Sequence, residues 1–237
     1  MDQIISILGI IVLLFAAGGL IAIVGPRAVY WRWLLVAAGL VLLNDLLLTN
    51  AYGLLPDVLP GRWNWQGKIL ALAATLAIAA APRFGWRHAG ITLRQAPGSW
   101  RAAVPVALAY CAFFLGIAIL FPNDPPTSEK VAFQLTMPGL EEELFYRGLL
   151  LLALDRAFTA RKRLLGVDWG WGAIISCALF GLAHAFGYAD GSFSFDPMYM
   201  ALTAVPSLIA VWLRLRTASV LIPMILHNFG NAIGLLV

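Results

Sequence analysis

Apolar runs recur along the whole chain, and they limit the fold more than any other feature. A helix crossing a bilayer needs about 20 mostly apolar residues, because a rise of about 1.5 Å per residue must span roughly 30 Å of hydrocarbon. Runs at or near that length cover residues 4–24, 30–48, 69–81, 102–121, 140–158, 169–187, 198–213 and 220–236. The third is short and Ala-rich. The first ends at Gly25-Pro26, the third at Pro82, and the fourth at Pro122 and Pro125-Pro126. Pro206 and Pro223 fall inside the last two runs, as bundled membrane helices tolerate. Only 12% of residues are charged and 61% are hydrophobic, against about 25% charged in a soluble domain. That is too little charge to cover a water-facing surface. An ordinary soluble protein, a disordered chain and a nucleic-acid-binding domain are excluded. The expected fold is all-α: a single integral membrane domain over residues 1–237, with about eight transmembrane helices around an intramembrane polar cavity. Membrane lipid is an expected partner and nucleic acid is not.

Charge orients this bundle. Arg27 and Arg32 follow run one; Arg83, Arg87, Arg94 and Arg101 follow run three; Arg156, Arg161, Lys162 and Arg163 follow run five; Arg214 and Arg216 follow run seven. These are 12 of the 16 basic residues, all on one side of an eight-span arrangement. The positive-inside rule puts those loops in the cytoplasm and both termini outside. Arg62, Lys68 and Lys130 fall in the other connections, and Arg147 within run five. No Lys or Arg precedes Arg27, so the first run reads as a retained span rather than a cleaved signal. The setting is a bacterial-type plasma membrane. Cys111 and Cys177 sit in apolar runs without metal or disulfide spacing.

Ionisable groups in spans cost about 2.5–3.5 kcal/mol each on insertion scales and usually face the bundle interior. Run five opens with Glu141-Glu142-Glu143 and continues Leu-Phe-Tyr146-Arg147-Gly. Glu143 and Arg147 are four residues apart with the acid N-terminal, the better order for a helical ion pair. Glu142 is then rotated by about 100° and shares a face with Tyr146. The three carboxylates also suit a helix N-terminus, where the dipole favours them. His88 sits in an Arg-rich loop and reads as solvent-facing. His184 lies near the end of run six, and His227 in run eight shares a face with Asn231. In the eight-span arrangement Glu142, His184, His227 and Asn231 reach similar depth in the outer half. A carboxylate, two imidazoles and an amide at one level suit general-base chemistry. A proton relay or cation site in a transporter or binding scaffold is the alternative. No HExxH or Gly-x-Ser-x-Gly occurs.

Glu142-Glu143-x-x-x-Arg147, Phe180-x-x-x-His184 and His227-x-x-x-Asn231 resemble the three ordered motifs of the CPBP family, the CAAX proteases and bacteriocin-processing enzymes. The resemblance covers residues 138–234. It implies an eight-helix intramembrane glutamic endopeptidase. Glu142 would be the base that activates water, and His184 would help hold that water. His227 and Asn231 would stabilise the oxyanion, and Glu143, Arg147, Tyr146 and Phe180 would be supports. The implied substrate is a membrane-associated peptide or a prenylated CAAX-type protein. One Glu and two His could also bind zinc; the metal-free mechanism is preferred, and no cofactor is expected.

Overall fold

The computed structural model describes residues 2–25, 29–59 and 61–237; Pro26 and Arg27 lie outside the described residues. In chain order the elements are α1 (Asp2–Val24), α2 (Trp31–Leu48), the single turn α3 (Asn50–Gly53), α4 (Trp65–Ala80), α5 (Trp100–Leu120) and α6 (Ser128–Glu143). A π-helical segment (Leu144–Leu150) and α7 (Leu151–Ala157) continue α6. Then come β1 (Arg161–Leu164), β2 (Val167–Gly170), α8 (Trp171–Ala185), β3 (Phe186–Ala189), β4 (Ser192–Phe195), α9 (Pro197–Thr217) and α10 (Leu221–Leu236).

Helices dominate, as the apolar runs require. Among the described residues four of them, α1, α2, α5 and α9, are long and apolar enough to cross a membrane. The protein is an integral membrane protein. Helices α4, α8 and α10 are apolar but have only 16, 15 and 16 residues.

Two departures from the all-α expectation are local. β1 pairs with β2, and β3 with β4, as two-stranded antiparallel ribbons. Each closes through a two-residue loop in which both residues have positive φ: Leu165 and Gly166 at 52° and 76°, Asp190 and Gly191 at 51° and 79°. Such loops match the right-handed twist of paired strands. The second carries the Asp-Gly signal in the sequence.

The third departure concerns run five. Its helix begins at Ser128, not near residue 140. Thr127 caps it, its side chain accepting from Lys130 N at 3.2 Å, and Glu129 sits in the first turn. This polar start hides the helix from a search for apolar runs. Glu141, Glu142 and Glu143 therefore lie at the far end of α6, where it passes into the π-helical segment. The dipole of a helix N-terminus does not hold them.

The chain divides into two compact units, Met1–Asp45 with Leu150–Trp212, and Leu46–Leu149 with Leu213–Val237. In the first, α1 packs on α8 and β3, and α7 on α8. A Cβ on Gly18 would stand 2.6 Å from Leu34 Cδ2, so Gly18 permits close packing of α1 on α2. Tyr30 N donates to Ala157 O at 2.7 Å, and the Arg156 guanidinium lies 4.6 Å from the Trp33 ring centroid. In the second unit, α10 packs against both α5 and α6, and α4 packs on α6. This is the frame that carries the candidate site.

Candidate active site

Helix α6 packs on α10 around a proline. Pro138 sits inside α6 and supplies no N–H to the helix. Asn228 of α10 bonds the α6 backbone on both sides of Pro138: its Oδ1 accepts from Gly139 N at 2.7 Å and its Nδ2 donates to Thr136 O at 3.1 Å. Gly139 permits the approach, since a Cβ there would meet Met224 O at 2.5 Å and Asn228 Oδ1 at 2.6 Å.

One turn of α6 beyond this proline stand the three carboxylates. Glu141 and Glu143 are fully buried, at 0% and 1% exposure. Glu143 Oε1 lies 3.1 Å from Arg147 Nη1, so the four-residue spacing does form an ion pair. The same oxygen accepts from His227 Nδ1 at 2.7 Å. An ionised carboxylate only accepts, so Nδ1 carries the proton and the ring presents Nε2 on its other side. Nε2 lies 3.6 Å from Glu142 Oε2. The imidazole thus stands between two carboxylates, bonded to Glu143 and facing Glu142. Arg147 is nearly inaccessible and lies 6.0 Å from the centroid of the Tyr146 ring. These groups sit in and beside the π-helical segment, a geometry common at functional sites. Gly148 within it passes close to Ala89 O, which a Cβ would meet at 3.1 Å.

The sequence pattern did not single out the group on the other side of Glu142. Lys68 lies in the first turn of α4, not in a connecting loop. Its Nζ is 2.6 Å from Glu141 Oε2 and 2.6 Å from Glu142 Oε1. Asn64 caps α4, accepting from Gly67 N at 3.0 Å and donating to Leu48 O at 2.7 Å. A signal did exist: three carboxylates in a row beside one arginine leave negative charge that burial cannot tolerate, so a second cation is required. Only folding selects which one. Asn228 was missed because a lone amide beside His227 has no distinguishing pattern.

Asn231 follows His227 by one turn of α10; it is exposed and its side chain makes no hydrogen bond among the described residues. His184 and Phe180 belong to the other unit. His184 is exposed, its ring 4.7 Å from that of Phe180. Its Nδ1 lies 2.8 Å from Phe180 O. A carbonyl can only accept, so Nδ1 carries the proton and Nε2 keeps its lone pair. His184 borders an open cavity of about 570 Å³ with Phe186, Ser194, Phe195 and Asp196. His88 is exposed, as its loop position suggests. Among the described residues no three His, Cys, Asp or Glu side chains gather in a metal-holding group.

A helical membrane protein with a buried Glu–His–Arg cluster at a π-helical segment is the class that fold and site define. Residues 129–233 match the family model of the Rce1-like proteins, described as type II CAAX prenyl endopeptidase Rce1-like. Over this segment, which is less than half of the chain, the protein is similar to the CAAX prenyl endopeptidases. The matched residues carry Glu141 to Glu143, Arg147, His184 and His227, and also Asn228 and Asn231. No curated protein and no solved structure matches the chain.

Proposed function

We propose that the chain is an intramembrane endopeptidase, working in a bacterial-type plasma membrane, in which Glu142 activates the water that attacks the scissile carbonyl. The observation that carries this reading is the imidazole of His227 bonded through Nδ1 to buried Glu143 and turned through Nε2 toward Glu142. A base needs a carboxylate with some access to water, and Glu142 has it, its side chain being 14% exposed where Glu143 has 1%. Glu142 takes one proton from water as the oxygen bonds to the carbonyl carbon. Asn231 donates to the oxyanion, where fixed donors in a dry site act strongly, and His227 does so through Nε2 as the imidazolium, its Nδ1–H staying on Glu143. The proton then passes to the leaving nitrogen as the C–N bond breaks. His184 assists in holding the water, a role drawn from its place in Phe180-x-x-x-His184 and supported by its open Nε2. Tyr146 and Phe180 support the site. Its substrates are prenylated CAAX-type proteins or other membrane-associated peptides, and the reaction needs no metal.

The test is cleavage of a quenched farnesylated CAAX peptide by purified protein, with Glu142→Gln alongside and a chelator in a third reaction. Cleavage is expected from the wild-type chain, undiminished by chelator and abolished in Glu142→Gln. Full cleavage by Glu142→Gln would sink the assignment of the base. Loss of wild-type cleavage in chelator would overturn the metal-free mechanism.

A further inference from the structure

We propose that Lys68 is a positioning residue that fixes the Glu142 carboxylate, an inference that rests on the reading of Glu142 as the base. Lys68 Nζ is 2.6 Å from both Glu141 Oε2 and Glu142 Oε1. Its side chain is only 12% exposed. Holding Oε1 fixes the direction of Oε2, the oxygen that lies 3.6 Å from His227 Nε2. Arg147, by contrast, is engaged with Glu143 on the far side of His227. The lysine is itself placed with care. It lies in the turn capped by Asn64, next to Gly67, whose Cβ would collide with Leu48 O and the Asn64 side chain. A short helix with no other charged residue thus delivers one ammonium to the ends of two acids.

The lysine performs two separable tasks. It balances the charge of Glu141, which has no exposure at all, and it holds Glu142. Lys68→Met alone takes the ammonium from two carboxylates and risks misfolding. Lys68→Met/Glu141→Gln removes the first task together with the lysine and isolates the second. Glu141→Gln alone keeps the lysine on Glu142.

Two measurements in detergent-solubilised protein test the proposal. The first is labelling by dicyclohexylcarbodiimide, read at Glu142 by mass spectrometry. This reagent adds only to protonated carboxyls, and an ammonium ion pair favours the ionised form. The second is kcat and KM on the farnesylated CAAX peptide, with Glu142→Gln as control. Wild type and Glu141→Gln are expected to resist labelling at Glu142 and to agree in kcat. Lys68→Met/Glu141→Gln should label at Glu142 several-fold faster and lose up to about 100-fold in kcat, the scale of loss when a catalytic group is misplaced by about 1 Å. Its KM should stay within about twofold, because the lost interaction serves the chemistry rather than binding. Wild-type labelling or wild-type kcat in the folded double variant would overturn the proposal, as would an equal loss in Glu141→Gln. Full cleavage by Glu142→Gln would instead refute the base assignment, and the labelling result would still decide whether Lys68 holds Glu142.

Discussion

Glu143 Oε1 serves two partners at once, Arg147 at 3.1 Å and His227 at 2.7 Å. The arginine therefore acts on His227 through the carboxylate they share. Removing one partner of a buried ion pair costs about 3–5 kcal/mol, because the other charge stays buried and uncompensated. Arg147→Met should lower stability by that amount in denaturant titrations of the solubilised protein. It should also reduce cleavage, since Glu143 is no longer held against His227. For Asn228 the bonds at stake are the two to the α6 backbone, at Gly139 N and Thr136 O. Asn228→Ala leaves both backbone groups without that partner, and Gly139 is buried. The expected loss is about 1–3 kcal/mol. An unchanged unfolding midpoint would show that these bonds contribute nothing. The ion pair of Glu143 with Arg147 was legible from spacing alone. The bond of Glu143 to His227 was not, because 84 residues separate the two.

At the scale of elements, the approach of α10 to α6 decides the site. That approach depends on one residue without a side chain. Gly139→Ala would place a Cβ 2.5 Å from Met224 O, against backbone that cannot rotate away. The helices must separate, and overpacking of this kind typically costs about 1–3 kcal/mol. His227 sits one turn further along α10 and moves with it, so cleavage should fall more than stability alone explains. Activity and unfolding measured on the same Gly139→Ala preparation would separate the two effects. The sequence placed the start of this helix wrongly for a plain reason. Hydropathy marks segments that meet lipid, whereas α6 opens with Ser128-Glu129-Lys130 under a Thr127 cap. Its capping signal was present, but the search for apolar runs did not register it. The ribbons were missed in the same way, being four residues per strand between strongly apolar neighbours.

For the molecule as a whole, large apolar side chains remain exposed along the long helices. Leu20, Ile23 and Val24 of α1 are 66%, 80% and 91% exposed, Leu108 and Phe113 of α5 are 64% and 62%, and Leu202 of α9 is 63%. Patches on this scale need a partner, and hydrocarbon chains of lipid supply it. The protein should stay in the membrane pellet after an alkaline carbonate wash and leave it only with detergent; release by carbonate would contradict integral insertion. The sequence by itself determined this much: an integral membrane protein, mostly helical, with α1, α2, α5 and α9 visible as runs. It also determined the ion pair within one helix turn. These are local properties, set by side-chain hydrophobicity and by the helical repeat. The tertiary structure decided what joins distant segments. It brought Lys68 to Glu141 across 73 residues of chain, seated His227 between Glu142 and Glu143, and gave Asn228 the α6 backbone around Pro138. A buried charge fixes only that a partner must exist, and the packing of α4 and α10 on α6 selects which residue it is.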